Sequence, residues 1–181
     1  ISVELNGVPI PDSGLLSSLP VGIYVLTVEA TDVYANVGSD EVTLFVQDTI
    51  IPVVSITSPS NDSVFEFGID VSYIYSVTDL SSTSVVVRLN GGPIADSGLL
   101  TSLAVGTYNL NVEATDAHSN IGSDEIIFSV VDTTEPIVVI VNPLNASFFE
   151  FGDDIPYAYT VNDLSGTSII IRLDGAPIPD S

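Results

Sequence analysis

The chain contains no cysteine, methionine, tryptophan or lysine; Arg88 and Arg172 are its only strong bases and His118 its only histidine. Without cysteine there is neither a disulfide scaffold nor thiol chemistry, and the compartment is left open. Two bases against 24 acidic residues give a formal net charge of −22. That balance argues against nucleic acid, which needs Lys and Arg to displace counterions, and against anionic membrane surfaces. It is compatible with divalent cations, and equally with acids that only keep an apolar chain in solution. No apolar run approaches the ~18 residues of a spanning helix, so no membrane insertion is expected. A secretory leader has a charged start, an apolar stretch and a small-residue cleavage site. That pattern is missing and the sequence begins at Ile1, so a processed product or a fragment is expected.

What is present is a repeat. Sliding residues 1–97 onto 85–181 needs no gap, and 56 of the 97 pairs are identical. Leu5-Asn6-Gly7 returns as Leu89-Asn90-Gly91 and again as Leu173-Asp174-Gly175. Hydrophobic residues make up 45%, and the abundance of Val, Ile, Thr, Tyr and Phe suits pleated, half-buried surfaces.

Within one period the apolar residues alternate. Val54 and Ile56 are separated by polar neighbours, as are Val71, Tyr73, Tyr75 and Val77. Val85, Val87 and Leu89 oppose Arg88; Tyr108, Leu110, Val112 and Ala114 oppose Asn109, Asn111, Glu113 and Thr115; Ile126, Phe128 and Val130 form a further set. Period-two alternation of this length means one face buried and one wet. Asn90-Gly91-Gly92-Pro93 and Ala104-Val105-Gly106 are turn signals, and residues 99–103 suit a short strand or a 3₁₀ turn. No helix is predicted. About seven short strands per 84 residues describe an all-β, two-sheet sandwich, large enough to bury a core without disulfides.

Catalytic chemistry has little to use. A nucleophile–base pair needs Ser or Cys beside His. His118 stands where the other copy has Tyr34, which predicts an exposed loop residue. Carboxylates are plentiful, but no insertion forms a cleft around a pair of them. No phosphate loop, zinc spacing or EF-hand pattern appears. The expectation is that the chain is not an enzyme.

Residues 103–108 (Leu-Ala-Val-Gly-Thr-Tyr), the run VEATDAHSN after them and then DEIIFSVVDTTEP resemble the bacterial-type immunoglobulin-like repeats of prokaryotic surface proteins and adhesins. Gly22-Ile23-Tyr24 and Asp48-Thr49-Ile50-Ile51-Pro52 restate the pattern. Ala35 and Ser119 stand where those repeats carry glycine, which puts a tight glycine turn there in doubt. The resemblance implies tandem immunoglobulin-like Greek-key β-sandwich domains, with Tyr24 and Tyr108 at the tyrosine-corner position. With Asp-Thr-x-x-Pro as the junction, residues 1–47 are the C-terminal part of one repeat, 48–131 a complete repeat, and 132–181 the N-terminal part of the next. Two explanations fit the partial units. One is a window cut from a longer array. The other is exchange between subunits, in which 132–181 of one chain completes 1–47 of another by strand addition. The duplication of 1–7 by 169–175 favours the window.

In such a sandwich the N-terminus and two of the loops share a pole. Asp48, Asp79, Asp116 and Asn120 are thereby directed at one junction, and Asp132, Glu135 and Asp163 at the next. Calcium, which takes several oxygen ligands, is the cation expected there. Asn61-Asp62-Ser63 and Asn145-Ala146-Ser147 are glycosylation acceptors by pattern. Arg88 and Arg172 share an outward position, where the first copy has Glu4, and should pair with neighbouring carboxylates.

The function expected is that of a structural repeat in an extracellular or cell-surface fibre, stalk or filament. Its partners are neighbouring repeats or copies of itself. The alternatives are an adhesin region that binds a glycan or protein receptor, and a non-catalytic module of a larger secreted enzyme.

Overall fold

The computed structural model describes residues 1–96 and 98–178; residues 179–181 of the unit expected over 132–181 lie outside the described residues. Every element is a strand, as the alternation requires. The central stretch carries β5 (Val53–Ser58), β6 (Ser63–Glu66), β7 (Val71–Ser72), β8 (Ile74–Thr78), β9 (Thr83–Leu89), β10 (Gly92–Ile94), β11 (Leu99–Leu100), β12 (Gly106–Asp116) and β13 (Ile121–Val131). Before it stand β1 (Ser2–Leu5), β2 (Val8–Pro9), β3 (Gly22–Thr31) and β4 (Val37–Val46). After it come β14 (Ile137–Asn142), β15 (Ala158–Asn162), β16 (Ile171–Leu173) and β17 (Ala176–Ile178).

One central sheet runs β10-β9-β12-β13-β6. Its pairs are antiparallel except β6, which lies parallel to β13. The other layer pairs β5 with β8 and β7 with β11. β7 and β8 are one strand interrupted at Tyr73, whose N–H donates across to Gly98 O at 2.9 Å. The inward residues of the alternation meet between the layers: Val71, Leu110, Val112, Phe128 and Val130 are fully or almost fully buried. Burying an aliphatic or phenyl side chain of this size contributes about 1.5–3 kcal/mol, so this set is the main source of the unit's stability. The Tyr108 ring stacks on Phe128 at 5.3 Å, and its hydroxyl donates to Ala104 O at 2.8 Å. Tyr24 makes the same bond to Pro20 O, also at 2.8 Å. This is the tyrosine-corner arrangement.

The flanking stretches carry parts of the same pattern. The first is a four-stranded sheet, β2-β1-β3-β4; the last holds the pairs β14-β15 and β16-β17.

Four local features differ from the sequence reading or sharpen it. Only Asn90-Gly91 is the turn, with φ of 49° and 80°, the two positive values of a type I′ hairpin; Gly92 and Pro93 already belong to β10. Residues 63–66, to which the alternation assigned no strand, form β6, because the open edge of β13 offers a ladder to a passing segment. Leu99–Leu100 is a strand rather than a 3₁₀ turn. The loop before Asn120 turns tightly without glycine: Ser119 has φ 71° and Ala35, its counterpart, 69°.

Candidate functional site

The pole at the start of the central unit is built on the loop between β12 and β13. Asp116 ends β12 and is 6% exposed. Its Oδ1 accepts the backbone N–H groups of His118 and Asn120, both at 2.8 Å. Its Oδ2 accepts the Asn120 side-chain amide, again at 2.8 Å. An aspartate that binds its own following backbone folds a loop locally, and this stabilisation holds Ser119 at positive φ. The first unit shows the same circuit. Asp32 Oδ1 accepts from Tyr34 N and Asn36 N at 2.8 Å, and Asn36 Nδ2 donates to Asp32 Oδ2 at 2.9 Å.

The central copy adds the linker. Asn120 Nδ2 also donates to Asp48 O at 3.2 Å, and His118 Nδ1 stands 3.1 Å from Asp48 Oδ2. Asp48 Oδ1 accepts from Ile50 N at 3.1 Å. Two residues on, Pro52 is fully buried, and its carbonyl faces Gly122.

Charge follows this geometry. Burial pushes the Asp116 carboxyl up, but the Asn120 amide, the Asn120 and His118 N–H groups and the nearby imidazole more than offset it. The group titrates below the usual carboxylate range. Asp32 is also lowered, chiefly by the Asn36 side chain.

Of the residues expected at this pole, Asp48, Asp116 and Asn120 do come together. His118, which the sequence marked only as an exposed loop residue, joins them; nothing in its surroundings in the chain signalled the contact, which spans 70 positions. Among the described residues, the ligand atoms of Asp48, Asp116 and His118 lie within 4.8 Å of one another. Asp79 is outside this group. Its Oδ1 accepts Ser81 N and Oγ at 2.7 and 2.8 Å, and its Oδ2 is buried without a hydrogen-bond partner. Calcium takes six to eight oxygens. Here the Asp116 oxygens are occupied by three N–H donors, and Asn120 turns its N–H, not its carbonyl, toward the centre. Turning that amide over would add the Asn120 carbonyl to the carboxylate oxygens of Asp48 and Asp116.

At the second junction Asp132, Glu135 and Asp163 form no such group among the described residues. Asp132 accepts from Thr134 N at 3.2 Å. Asp163 accepts from Ser165 N and Oγ, both at 2.6 Å, and is lowered chiefly by that hydroxyl. The residue that holds this junction is Glu66, which the sequence reading left without a role. Its Oε1 accepts Thr133 N at 2.8 Å and Thr134 Oγ1 at 3.0 Å, and its Oε2 accepts Thr133 Oγ1 at 2.8 Å. These bonds, the Thr133 N–H foremost, hold its carboxyl below the ordinary range. The recurrence of FEFG at 65–68 and 149–152 was the signal that could have found it.

Asn61 and Asn145 are both exposed. Asn61 Oδ1 accepts Ile127 N at 2.8 Å, and its Nδ2 donates to Asp62 Oδ2 at 3.1 Å. Arg88 pairs with Glu113 at 3.4 Å, whereas Arg172 donates to Gly175 O at 3.4 Å. Among the described residues no helix is long and apolar enough to cross a membrane.

The family model described as bacterial Ig-like domain (group 3) matches residues 15–106. A solved structure, the fibronectin(III)-like modules of Clostridium thermocellum CbhA, aligns with 17% identity and a TM-score of 0.43. The alignment covers 72% of this chain and 78% of that one. No curated protein matches.

Proposed function

Because the chain belongs to the bacterial Ig-like domain (group 3) family, we propose that it is a structural spacer: a repeat of an extracellular or cell-surface fibre, stalk or filament, whose β-sandwich beads follow one another head to tail. The observation that carries this reading is that both linkers of the central unit are tied to its body. Glu66 grips Thr133 and Thr134 at one pole. At the other, Asn120 and His118 hold Asp48 while Pro52 lies against Gly122. A linker bonded along the body of its own bead leaves that bead in a fixed direction, whereas a free linker of the same length would behave as a swivel. The gapless recurrence of one unit, identical at 56 of 97 positions, also supports a spacer built of like beads.

Imaging the native particle tests the proposal. A thread with a regular bead period is expected; isolated globules would overturn it. On the same reading the protein is exported, and Asn61 and Asn145 are acceptors for glycan at Nδ2. The intact mass of the natural protein, compared with the peptide mass, checks that assignment.

A further inference from the structure

The pole that carries Asp48 holds more than its loop requires. The first copy folds the same loop on Asp32 and Asn36, with Tyr34, 84% exposed, where the central copy has His118. In both copies that residue gives the turn only its backbone N–H, so the imidazole is surplus to the turn. It stands instead 3.1 Å from Asp48 Oδ2. One ligand atom each from Asp48, Asp116 and His118 lies within 4.8 Å of the other two. Both carboxylates are largely withdrawn from water: Asp116 is 6% exposed and the Asp48 side chain 12%. Like charges this close, with little water between them, repel. Neither arginine relieves them, since Arg88 pairs with Glu113 and Arg172 donates to Gly175 O. A positive charge set between the two carboxylates would be strongly favoured.

The individual atoms are held in place for ligation. Ile50 N donates to Asp48 Oδ1, which leaves Oδ2 facing the imidazole. Asp116 Oδ1 takes two backbone N–H groups, whereas Oδ2 takes only the Asn120 amide. A carboxylate oxygen carries two lone pairs, so Oδ2 keeps one free. Outer hydrogen bonds of this kind orient ligating carboxylates. A tetrahedral ion with bonds of about 2.0–2.1 Å to nitrogen and oxygen separates its ligands by about 3.3 Å. The observed 3.1 Å between Nδ1 and Oδ2 is close to that edge. The His118 side chain is 34% exposed, which leaves an approach from solvent and room for water as a further ligand. One imidazole nitrogen with two carboxylates is a set that zinc accepts, whereas calcium takes oxygen.

We propose that Asp48, Asp116 and His118 bind one divalent ion of the zinc class, with water completing the coordination. Nδ1 and Asp48 Oδ2 exchange their mutual hydrogen bond for bonds to the ion. The proton on Nδ1 leaves for solvent, and Nε2 carries the one that remains. The Asn120 amide stays as it is, so this set differs from a calcium set that would recruit its carbonyl. The bound ion ties the linker, through Asp48, to the loop between β12 and β13. What that tie serves rests on the spacer reading; whether the ion binds does not.

The test titrates zinc chloride into the whole chain at neutral pH, followed by calorimetry and by proton NMR of the single imidazole. One tight site per chain is expected, with His118 C–H resonances that move until one equivalent has been added. His118→Tyr installs the residue of the first copy and keeps all 24 acidic residues, so diffuse binding to surface carboxylates persists. The tight site should weaken by at least about tenfold, the smallest loss usual when a metal site loses one of its supporting groups. Asp48→Asn should weaken it as much, and both variants leave the Asp116–Asn120 loop bonds intact. Calcium chloride should leave the imidazole resonances where they are. Equal zinc affinity in the unaltered chain and in His118→Tyr, or resonances that zinc does not move, would overturn the proposal. Retention of the tight site in Asp48→Asn, or an equal response to calcium, would overturn it as well. Native-particle imaging, which decides the spacer reading, is a separate measurement, so either idea can fail alone.

Discussion

The carbonyl of Pro52 occupies the place where a Cβ on residue 122 would have to stand. The obstacle is backbone, so no side-chain rotation relieves it. Gly122→Ala should therefore destabilise the central unit by about 2–3 kcal/mol, the upper range for overpacking at a tight site. Gly38 is the same residue in the preceding copy, with nothing within 4 Å of its Cβ position, so Gly38→Ala should change stability by less than about 0.5 kcal/mol. Thermal unfolding of the two variants side by side checks the contrast; similar losses at both positions would refute the contact.

Ser119 sits at φ 71°, a conformation that costs an L-residue roughly 1–2 kcal/mol. Glycine avoids that cost but loses more chain entropy on folding, roughly 0.5–1 kcal/mol. Ser119→Gly should leave a net gain of about 0.5–1 kcal/mol, measured as a higher denaturant midpoint. A loss would mean that the serine side chain contributes to the loop in its own right.

Asp116 titrates below the ordinary carboxylate range in the folded chain. A group whose folded pKa is depressed stabilises the fold above its unfolded pKa, and that contribution disappears as pH falls through the folded value. With an unfolded carboxyl near 3.9, the melting temperature should hold at neutral pH and fall below about pH 4. Asp116→Asn keeps a carbonyl acceptor but cannot titrate, so its acid-induced loss should be shallower. Identical acid profiles for the two proteins would remove Asp116 from the account. Glu66 has the same sign and should add to the wild-type slope in both.

Calcium discriminates between two ways of holding the first pole. With the Asn120 amide donating to Asp48 O and Asp116 Oδ2, its N–H rather than its oxygen faces the centre, and three of the carboxylate's roughly four acceptor sites are taken. Adding about 1 mM calcium, or removing it with a chelator, should then shift the melting temperature by no more than about 1 °C, since a ligand stabilises only the state it binds. A rise of several degrees that Asp48→Asn or Asp116→Asn abolishes would show instead that these carboxylates are calcium ligands.

How much of this was legible beforehand depends on the range of the interaction. The alternation at Leu110, Val112 and Ala114 announced a strand and its buried face, because side-chain direction alternates with chain position. Tyr108 and its bond to Ala104, four residues away, were likewise local. The Asp116 circuit was half visible: aspartate opening a loop is a local signal, but the substitution of Ser119 for glycine pointed away from the tight turn that Asp116 then enforces. β6 was missed because its ladder comes from β13, some 65 positions along, and a short edge segment carries no pattern of its own. Glu66 and His118 were missed for the same reason. Their partners, Thr133 and Asp48, are 67 and 70 positions away.

The sequence by itself determined the all-β class, the 84-residue recurrence, the inward-facing residues and the acidic, cysteine-free chemistry, since each of these depends on composition or on neighbours a few positions apart. The tertiary structure alone decided which carboxylates meet, which linker residue each pole holds, and which apolar faces are covered. Those outcomes depend on how two layers register against each other, and residues far apart along the chain become neighbours only once the layers have closed.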